Sequence, residues 1–400
     1  MPTKPLRKPE FVALIAMSFA TIALAIDAML PALPEIGKTL SPDNLNHAQL
    51  VITSFLLGLG LGTFFSGPLS DALGRRRVML GGYAVYIIAA LLASLAQSLE
   101  LLLAARVLQG LGASGPRVVA MAIVRDLYVE RQMAQLTSFV MTVFMLVPVI
   151  APSIGALILL VAGWRTIFFT FVVFAIALSL WFTLRQPETL PPEKRRKIAL
   201  ANLWGGMVEV LSHPVVRVTI VVQSLLLGAL YSALSSSQQI FDITFGRGDS
   251  FALWFGAVAI VSGFSALINA RLVVRLGMQP MIRTALACVM LISAVMLALF
   301  WGGGMPDMVA FPAFVFFKTS VFFMIGMTLG NLNAIAMQPM GHIAGMAASM
   351  MSAIATVLGL AIAVPIGLAF DGTPLPLMCG VFVCVSLALG LMQLIRHEPT

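Results

Sequence analysis

Apolar residues in this chain come in long runs of about twenty positions, broken by short turns that carry the glycines, prolines and most of the charges. A helix needs roughly 20 mainly apolar residues to cross the hydrocarbon layer of a bilayer. Twelve runs of that kind begin near Phe11, Gln49, Val78, Leu101, Ala134, Thr166, Val218, Phe251, Thr284, Met308, Met346 and Leu375. A transmembrane barrel would instead show segments of about ten residues alternating with period two, and no segment alternates in that way. The pattern predicts an all-α integral membrane protein with twelve transmembrane helices. The first run is long and lacks a small-residue cleavage site, so it is read as a retained helix rather than a signal peptide.

The largest hydrophilic stretch runs from Arg185 to about Val216, with Pro187, Pro191, Pro192 and the cationic run Lys194 to Lys197. It divides the crossings six and six: residues 1–184 as one six-helix bundle, 185–216 as a cytoplasmic linker and 217–400 as a second six-helix bundle. Within the linker, Ala199 to His213 mixes apolar positions with Asn202, Glu209 and His213, the pattern of an amphipathic helix lying on the inner membrane surface. His213, just before Pro214, reads as a solvated loop residue. Between the second and third runs lies Gly67-Pro-Leu-Ser-Asp71-Ala-Leu-Gly74-Arg75-Arg76-Arg77. Ala270-Arg271-Leu-Val-Val-Arg275-Leu-Gly277, followed by Arg283, echoes it between the eighth and ninth. A shift of 203 residues superposes Gly74 on Gly277. Parallel half-repeats of this kind mark transporters built from two related halves.

Composition agrees: 60% of residues are hydrophobic and 10% charged, against about 45 to 50% apolar in soluble domains. The net charge of +8 is explained by topology rather than by nucleic acid. With the N-terminus inside, the inner face holds Lys4, Arg7, Lys8, Arg75, Arg76, Arg77, Arg125, Arg131, Arg185, Lys194, Arg195, Arg196, Lys197, Arg217, Arg271, Arg275, Arg283 and Arg396. The outer face holds Lys38, Arg165 and Arg247. Positive residues concentrate on the cytoplasmic side, so both termini are expected there. Cys288, Cys379 and Cys384 sit in apolar runs without CxxC spacing and read as packing residues. There is no phosphate-cradling Gly-x4-Gly-Lys-Ser/Thr loop, no HExxH and no GxSxG. Neither ATP-driven pumping nor enzymatic hydrolysis fits, and no cofactor is expected.

Ionisable groups inside crossings are costly and by default mark function. Asp27 near the end of the first helix is one, with a headgroup-level position as the plainer alternative. Arg106, about five residues into the fourth helix, falls at similar depth, so the two are candidates for a pair. Arg117, further along the same helix, either packs against another span or reaches the inner surface. Polar candidates for a substrate cavity are Gln109, Arg117, Gln223, Tyr231, Gln238, Lys318 and Asn331; some such groups serve only to join helices. Lys318, about ten residues into its span, needs a water-filled cavity or a counter-charge. Gly58, Gly60 and Gly62 predict close helix packing, and Pro148, Pro152 and Gly155 a bent fifth helix.

The 24 methionines raise a metal reading. Met337, Met340, His342, Met346 and Met350 cluster, with His342 and Met346 at i, i+4, and such soft ligands suit Cu(I). Methionine is also a common gap-filler, and the leading expectation is that no metal is bound.

These motifs together resemble the major facilitator superfamily, and within it the twelve-span drug:proton antiporters of Bcr/CflA type. Gly67 to Arg77 is similar to the superfamily's loop between helices two and three. Ala25-Ile-Asp27-Ala-Met-Leu-Pro31-Ala-Leu-Pro34 resembles the first-helix motif of the Bcr/CflA group, and Ala105-Arg106-Val-Leu-Gln109-Gly110-Leu-Gly112 the fourth-helix motif. Asn269 to Gly277 and Gly341-His342-Ile-Ala-Gly345 are similar to second-half counterparts. Pro148 to Gly155 departs from the antiporter motif, Arg117 stands where the group has a small residue, and Ser-Ser-Ser-Gln-Gln replaces a Ser-Pro pair at the end of helix seven.

The resemblance implies the major facilitator fold and proton-coupled export of small amphipathic compounds, as in multidrug efflux and antibiotic resistance, by alternating access. Asp27 and Arg106 would couple protons. Gly67, Asp71, Gly74, Arg75 and Arg76, with Arg271 and Arg275, would form the conformational switch loops. Copper transport through His342 and Met346, or uptake of a small metabolite, are the alternatives. The expected partners are a small-molecule substrate, protons and the lipid of a bacterial inner membrane, with no nucleic acid; the expected state is a monomer.

Overall fold

The computed structural model describes residues 6–195, 200–302 and 306–395; the side chains of 130, 131, 134, 200–203 and 307 are outside the description. Of the inner-face cations expected above, Lys4, Arg196, Lys197, Arg396 and the side chain of Arg131 therefore lie outside it.

Helices account for nearly every described segment, and none of the described residues is in a strand. They are α1 (Lys8–Asp27), α2 (Leu33–Leu40), α3 (Leu50–Leu73), α4 (Arg75–Ser94), α5 (Leu99–Leu127), α6 (Glu130–Met145), α7 (Val147–Ala162) and α8 (Trp164–Arg185). There follow α9 (Leu200–Ser212), α10 (Pro214–Ser235), a single turn α11 (Ser237–Gln239), α12 (Phe251–Leu276), α13 (Met278–Trp301), α14 (Asp307–Met337), α15 (Ala344–Leu368) and α16 (Leu375–Leu391). Ten helical stretches among the described residues are long and apolar enough to cross a membrane; one of them, Met308–Leu368, contains both α14 and α15, and α16 is a shorter apolar helix. Each of the twelve expected runs coincides with a helix or, for the fifth, with a pair.

That pair is α6 and α7. The break falls at Leu146, where Pro148 in the first turn of α7 has no N–H to offer the preceding turn. The backbone of Leu146 itself stays helical (φ −74°, ψ −22°), so the pair is one crossing, Gln135–Ala162, bent at that residue as expected. The first crossing ends at Asp27, after which Pro31 and Pro34 divide the chain into a 3-10 turn (Leu30–Ala32) and α2. Between α14 and α15, Gln338–Ile343 is a 3-10 segment interrupted at Met340.

Three reversals take a single residue each. Gly74 (φ 100°), Gly163 (φ 71°) and Gly277 (φ 83°) end one helix and begin the next, in a backbone region that L side chains rarely occupy. The glycines that the half-repeat aligns, Gly74 and Gly277, do the same job.

The chain forms two compact units, Met1–Asn202 and Leu203–Thr400. In the first, α3 and α5 meet backbone to backbone: a Cβ added at Gly58 would strike the carbonyl of Val107, and one at Gly110 the carbonyl of Phe55. In the second, α10 packs closely on α15, with Gly359 against Leu227 and Gly228. Large apolar side chains such as Leu160, Val161 and Val274 are more than four-fifths exposed, as expected where lipid is the solvent.

Candidate functional site

In the first unit the buried chemistry centres on Arg106. Its guanidinium is fully buried; Nε donates to the carbonyl of Val51 at 3.0 Å, Nη1 to Gln109 Oε1 at 2.8 Å and Nη2 to the carbonyl of Ala25 at 3.0 Å. Its Cζ lies 4.5 Å from the centroid of the Phe55 ring and 5.9 Å from that of Phe168. A planar fork with five donors is suited to reach three acceptors at once. The residue thereby joins α5 to α1 and α3. Asp27, 6% exposed, closes α1 two residues after Ala25. Next to it, Gly155 of α7 lies so near the carbonyl of Ala28 that a side chain there would collide. Gln109 is buried and Arg117 half-buried.

In the second unit the polar candidates form two groups. Gln223 Nε2 donates to Asn333 Oδ1 at 2.9 Å, and Asn331 Nδ2 donates to Asn269 Oδ1 at 2.8 Å and to the carbonyl of Met327 at 2.9 Å. These amides tie α14 to α10 and α12. Lys318 forms the other group. It is fully buried, and its Nζ lies 4.5 Å from the ring centroid of Phe255, 5.1 Å from Phe241, 5.4 Å from Phe251 and 5.7 Å from Phe322. Each ring face offers the ammonium part of what water would have given it. Phe241 reaches the cation from a π-helical turn, Ile240–Thr244, that follows α11. Gln238 is buried and Tyr231 half-buried.

The loop between α3 and α4 is an interlocked polar cluster. Arg75 Nη1 donates to Asp71 Oδ1 at 2.5 Å and to Ser70 Oγ at 2.7 Å, and Nε to Asp126 Oδ2 at 2.9 Å. Asp71 thus pairs within its own unit. Glu188, beyond α8, accepts from the backbone N–H of Arg75 at 2.9 Å and of Arg76 at 3.1 Å, an anion on the first free N–H groups of α4. Arg76 returns the favour at the end of α8, donating to the carbonyls of Gln186 and Thr183, each at 2.8 Å. Gly67 lies within α3. Gly74 has a second constraint besides its φ: an added Cβ would lie 2.6 Å from Glu188 Oε2.

The second-half loop is built differently. Arg271 and Arg275 are exposed on the last turns of α12. Arg283 does the work of Arg76, donating to the carbonyl of Met392 beyond α16 at 2.9 Å.

Sequence reading passed over Glu188, Asp126 and Glu10. The last accepts both Nε and Nη2 of Arg185, at 2.7 and 2.8 Å, joining the start of α1 to the end of α8. Glu188 and Asp126 are ordinary polar residues beside helix ends, and only their partners, 113 and 51 positions away, identify them.

His342 Nε2 lies 2.6 Å from Glu209 Oε1 of α9, and the end of the Met346 side chain packs on Gly206. Both proposed soft ligands thus face α9. No group of three or more His, Cys, Asp or Glu among the described residues is arranged to hold a metal ion. The three cysteines are free thiols.

Known proteins resemble this chain along nearly all of its length. The family model described as Major Facilitator Superfamily matches residues 15–365. An uncharacterized MFS-type transporter, YdgK, of Bacillus subtilis is 30% identical over 365 residues, 90% of this chain and 89% of the relative. A bicyclomycin resistance protein homolog of Haemophilus influenzae is 29% identical over 287 residues, 70% of this chain and 71% of its own. In three dimensions the E. coli xylose transporter XylE, in a partially occluded inward-open conformation, covers 98% of this chain and all of its own, with a TM-score of 0.75 at 12% identity, a likeness of fold. The all-helical architecture and the match over residues 15–365 agree, and the chain, a multi-pass membrane transporter rather than an enzyme, belongs to the Major Facilitator Superfamily.

Proposed function

We propose that the protein is a proton-coupled secondary transporter that exports small amphipathic compounds across a bacterial inner membrane by alternating access, with both termini cytoplasmic and residues 185–216 linking its halves. The observation that carries the reading is the buried Asp27, placed two residues beyond a backbone carbonyl held by the buried Arg106. Burial favours the protonated carboxyl, whereas water or a nearby cation favours the carboxylate. A carboxyl at Asp27 that meets the two sides of the membrane in turn is a group able to carry a proton between them. Arg106 positions the end of α1 on which Asp27 sits.

Gln109 and Arg117 in the first unit, and Gln223, Tyr231, Gln238, Lys318 and Asn331 in the second, supply the polar contacts to substrate. Gly67, Asp71, Gly74, Arg75 and Arg76, with Arg271 and Arg275, govern the conformational change. The bicyclomycin-resistance relative favours a drug-like cargo over a metal ion, as does the occupation of His342 and Met346 by contacts with α9. The working unit is a monomer.

The experiment is transport in proteoliposomes under an imposed pH gradient, with wild type and Asp27→Asn compared. The substituted protein is expected to bind substrate but to lose gradient-driven accumulation. Accumulation that still follows the pH gradient in Asp27→Asn sinks the assignment.

A further inference from the structure

The charges buried among the helices are unequal in sign. Asp27 is the one buried carboxylate among the described residues, and it ends α1. The other described acidic residues lie in the first or last turn of a helix or between helices. Cations sit deeper. Arg106 is the eighth and Arg117 the nineteenth residue of the 29 in α5, and Lys318 is the twelfth of the 31 in α14. Arg106 and Lys318 are fully buried. Arg75, a third buried cation, stands at the start of α4 and is matched there by Asp71 and Asp126.

The groups described around the two deep cations solvate them and carry no net charge. The hydrogen bonds of Arg106 go to two backbone carbonyls and the Gln109 amide. Four ring faces surround Lys318, and a ring quadrupole stabilises a cation without cancelling its charge. In the second unit α10, α12, α13, α15 and α16 have no acidic residue, and α14 has only Asp307, its first. One carboxylate, Asp27, offsets at most one of the two deep cations, and Arg117, half-buried, adds to the positive excess. Charge at this depth is costly, and by default it is kept for function.

We propose that the cargo is an organic anion, a small molecule with an apolar body and one carboxylate or comparable acidic group, selected over its neutral and cationic counterparts by the positive excess of Lys318, Arg106 and Arg117. The proposal rests on the transport reading above and deepens it. Fixed charge in a low-dielectric layer acts through the medium as well as by contact. At an effective dielectric constant of about 20, a unit charge about 12 Å from another changes an affinity roughly tenfold. A cationic cargo meets the same field with the opposite sign, so the order carboxylate, amide, amine follows from charge alone. Phe241, Phe251, Phe255 and Phe322 set apolar surface beside the Lys318 ammonium, the pairing that an amphipathic anion requires.

The test measures equilibrium binding to the full chain in phosphatidylcholine nanodiscs near neutral pH, with binding to protein-free nanodiscs subtracted. The probes are phenyl, naphthyl and biphenyl compounds, each as carboxylate, carboxamide and aminomethyl derivative. On any body that binds, the carboxylate is expected to bind about tenfold more tightly than the amide or better, and the amine more weakly than the amide. The order is expected to survive about 0.5 M sodium chloride, because salt screens buried charges far less than exposed ones such as Arg271 and Arg275. Lys318→Met is expected to narrow the carboxylate-to-amide ratio to about threefold, and Lys318→Arg, which keeps the charge, to preserve it. Arg117→Gln, at a half-buried position, gives a second reading of the same narrowing. Binding needs no gradient, so a protein that selects anions while its accumulation ignores the pH gradient keeps this proposal and loses the coupling assigned to Asp27. Equal binding of the three forms, tightest binding of the amine, or a panel in which no carboxylate binds overturns it. So does a preference abolished by salt, or one left intact in both Lys318→Met and Arg117→Gln.

Discussion

Glu188 accepts the backbone N–H of Arg75 at 2.9 Å, from 113 residues along the chain. With the N–H of Arg76 at 3.1 Å, one carboxylate completes the first turn of α4. It also accepts the N–H groups of Thr189 and Leu190 at 3.1 and 3.0 Å, so the hydrophilic segment after α8 is folded around the same side chain. Replacing a helix-capping side chain by alanine costs about 0.5–2 kcal/mol. Glu188→Ala is expected at the upper end, because several N–H groups lose their acceptor together. Glu188→Gln keeps one oxygen and should lose less. Thermal unfolding of the purified protein in detergent orders the two variants, and a Glu188→Ala protein as stable as wild type contradicts the capping role.

Gly58→Ala and Gly110→Ala should each destabilise by about 1–3 kcal/mol, since the added methyl has only backbone to push against. Gly81→Ala, on α4 with nothing within 4 Å of the added carbon, is expected to be neutral or to stabilise by about 0.5–1 kcal/mol through the better helix propensity of alanine. The same thermal assay separates them. Equal effects at all three positions would mean that helix propensity, rather than the α3–α5 contact, sets the outcome.

Much of this organisation is legible in the sequence because two signals are strong. The length of the apolar runs gives the crossings, and Gly74 and Gly277 betray the repeat because each is required where φ is positive. Gly58 and Gly62 advertise close packing because few other residues allow it. The break at Met340 is harder to read: proline or glycine nearby predicts a bend, but whether the helix restarts depends on which neighbours take up the freed carbonyls. The partners of Arg106 are hidden for a related reason. Two of its three acceptors are backbone carbonyls, of Val51 and Ala25, and a carbonyl carries no mark in the sequence. Glu188 and Asp126 belong to the same class, polar residues whose meaning lies wholly in distant partners.

Arg106→Lys is expected to fail as a conservative change. An ammonium is a compact point charge and cannot reproduce the fork that meets the carbonyls of Val51 and Ala25 and the amide of Gln109. Hydrogen bonds from a charged donor are each worth about 1.5–3 kcal/mol. Loss of even one, with the acceptor left dry, should lower the melting temperature by several degrees, and Arg106→Ala should lower it further. A lysine variant that melts with wild type would show that charge alone, not the fork, is what α1 and α3 need.

Lys318 separates stability from function. A desolvated ammonium is expensive even among four ring faces. Lys318→Met fills the same space between Phe241, Phe251, Phe255 and Phe322 with an unbranched apolar chain, so it should melt at or above the wild-type temperature. Lys318→Ala leaves a cavity among those rings and should cost about 2–5 kcal/mol. If the lysine serves transport, the methionine variant is the informative one: well folded, correctly inserted, and deficient in substrate accumulation by tenfold or more. Melting curves and proteoliposome transport on the same preparations give both readings. A methionine variant that transports at the wild-type rate reduces Lys318 to a packing residue, and one that melts well below wild type shows that the four rings were built around the charge.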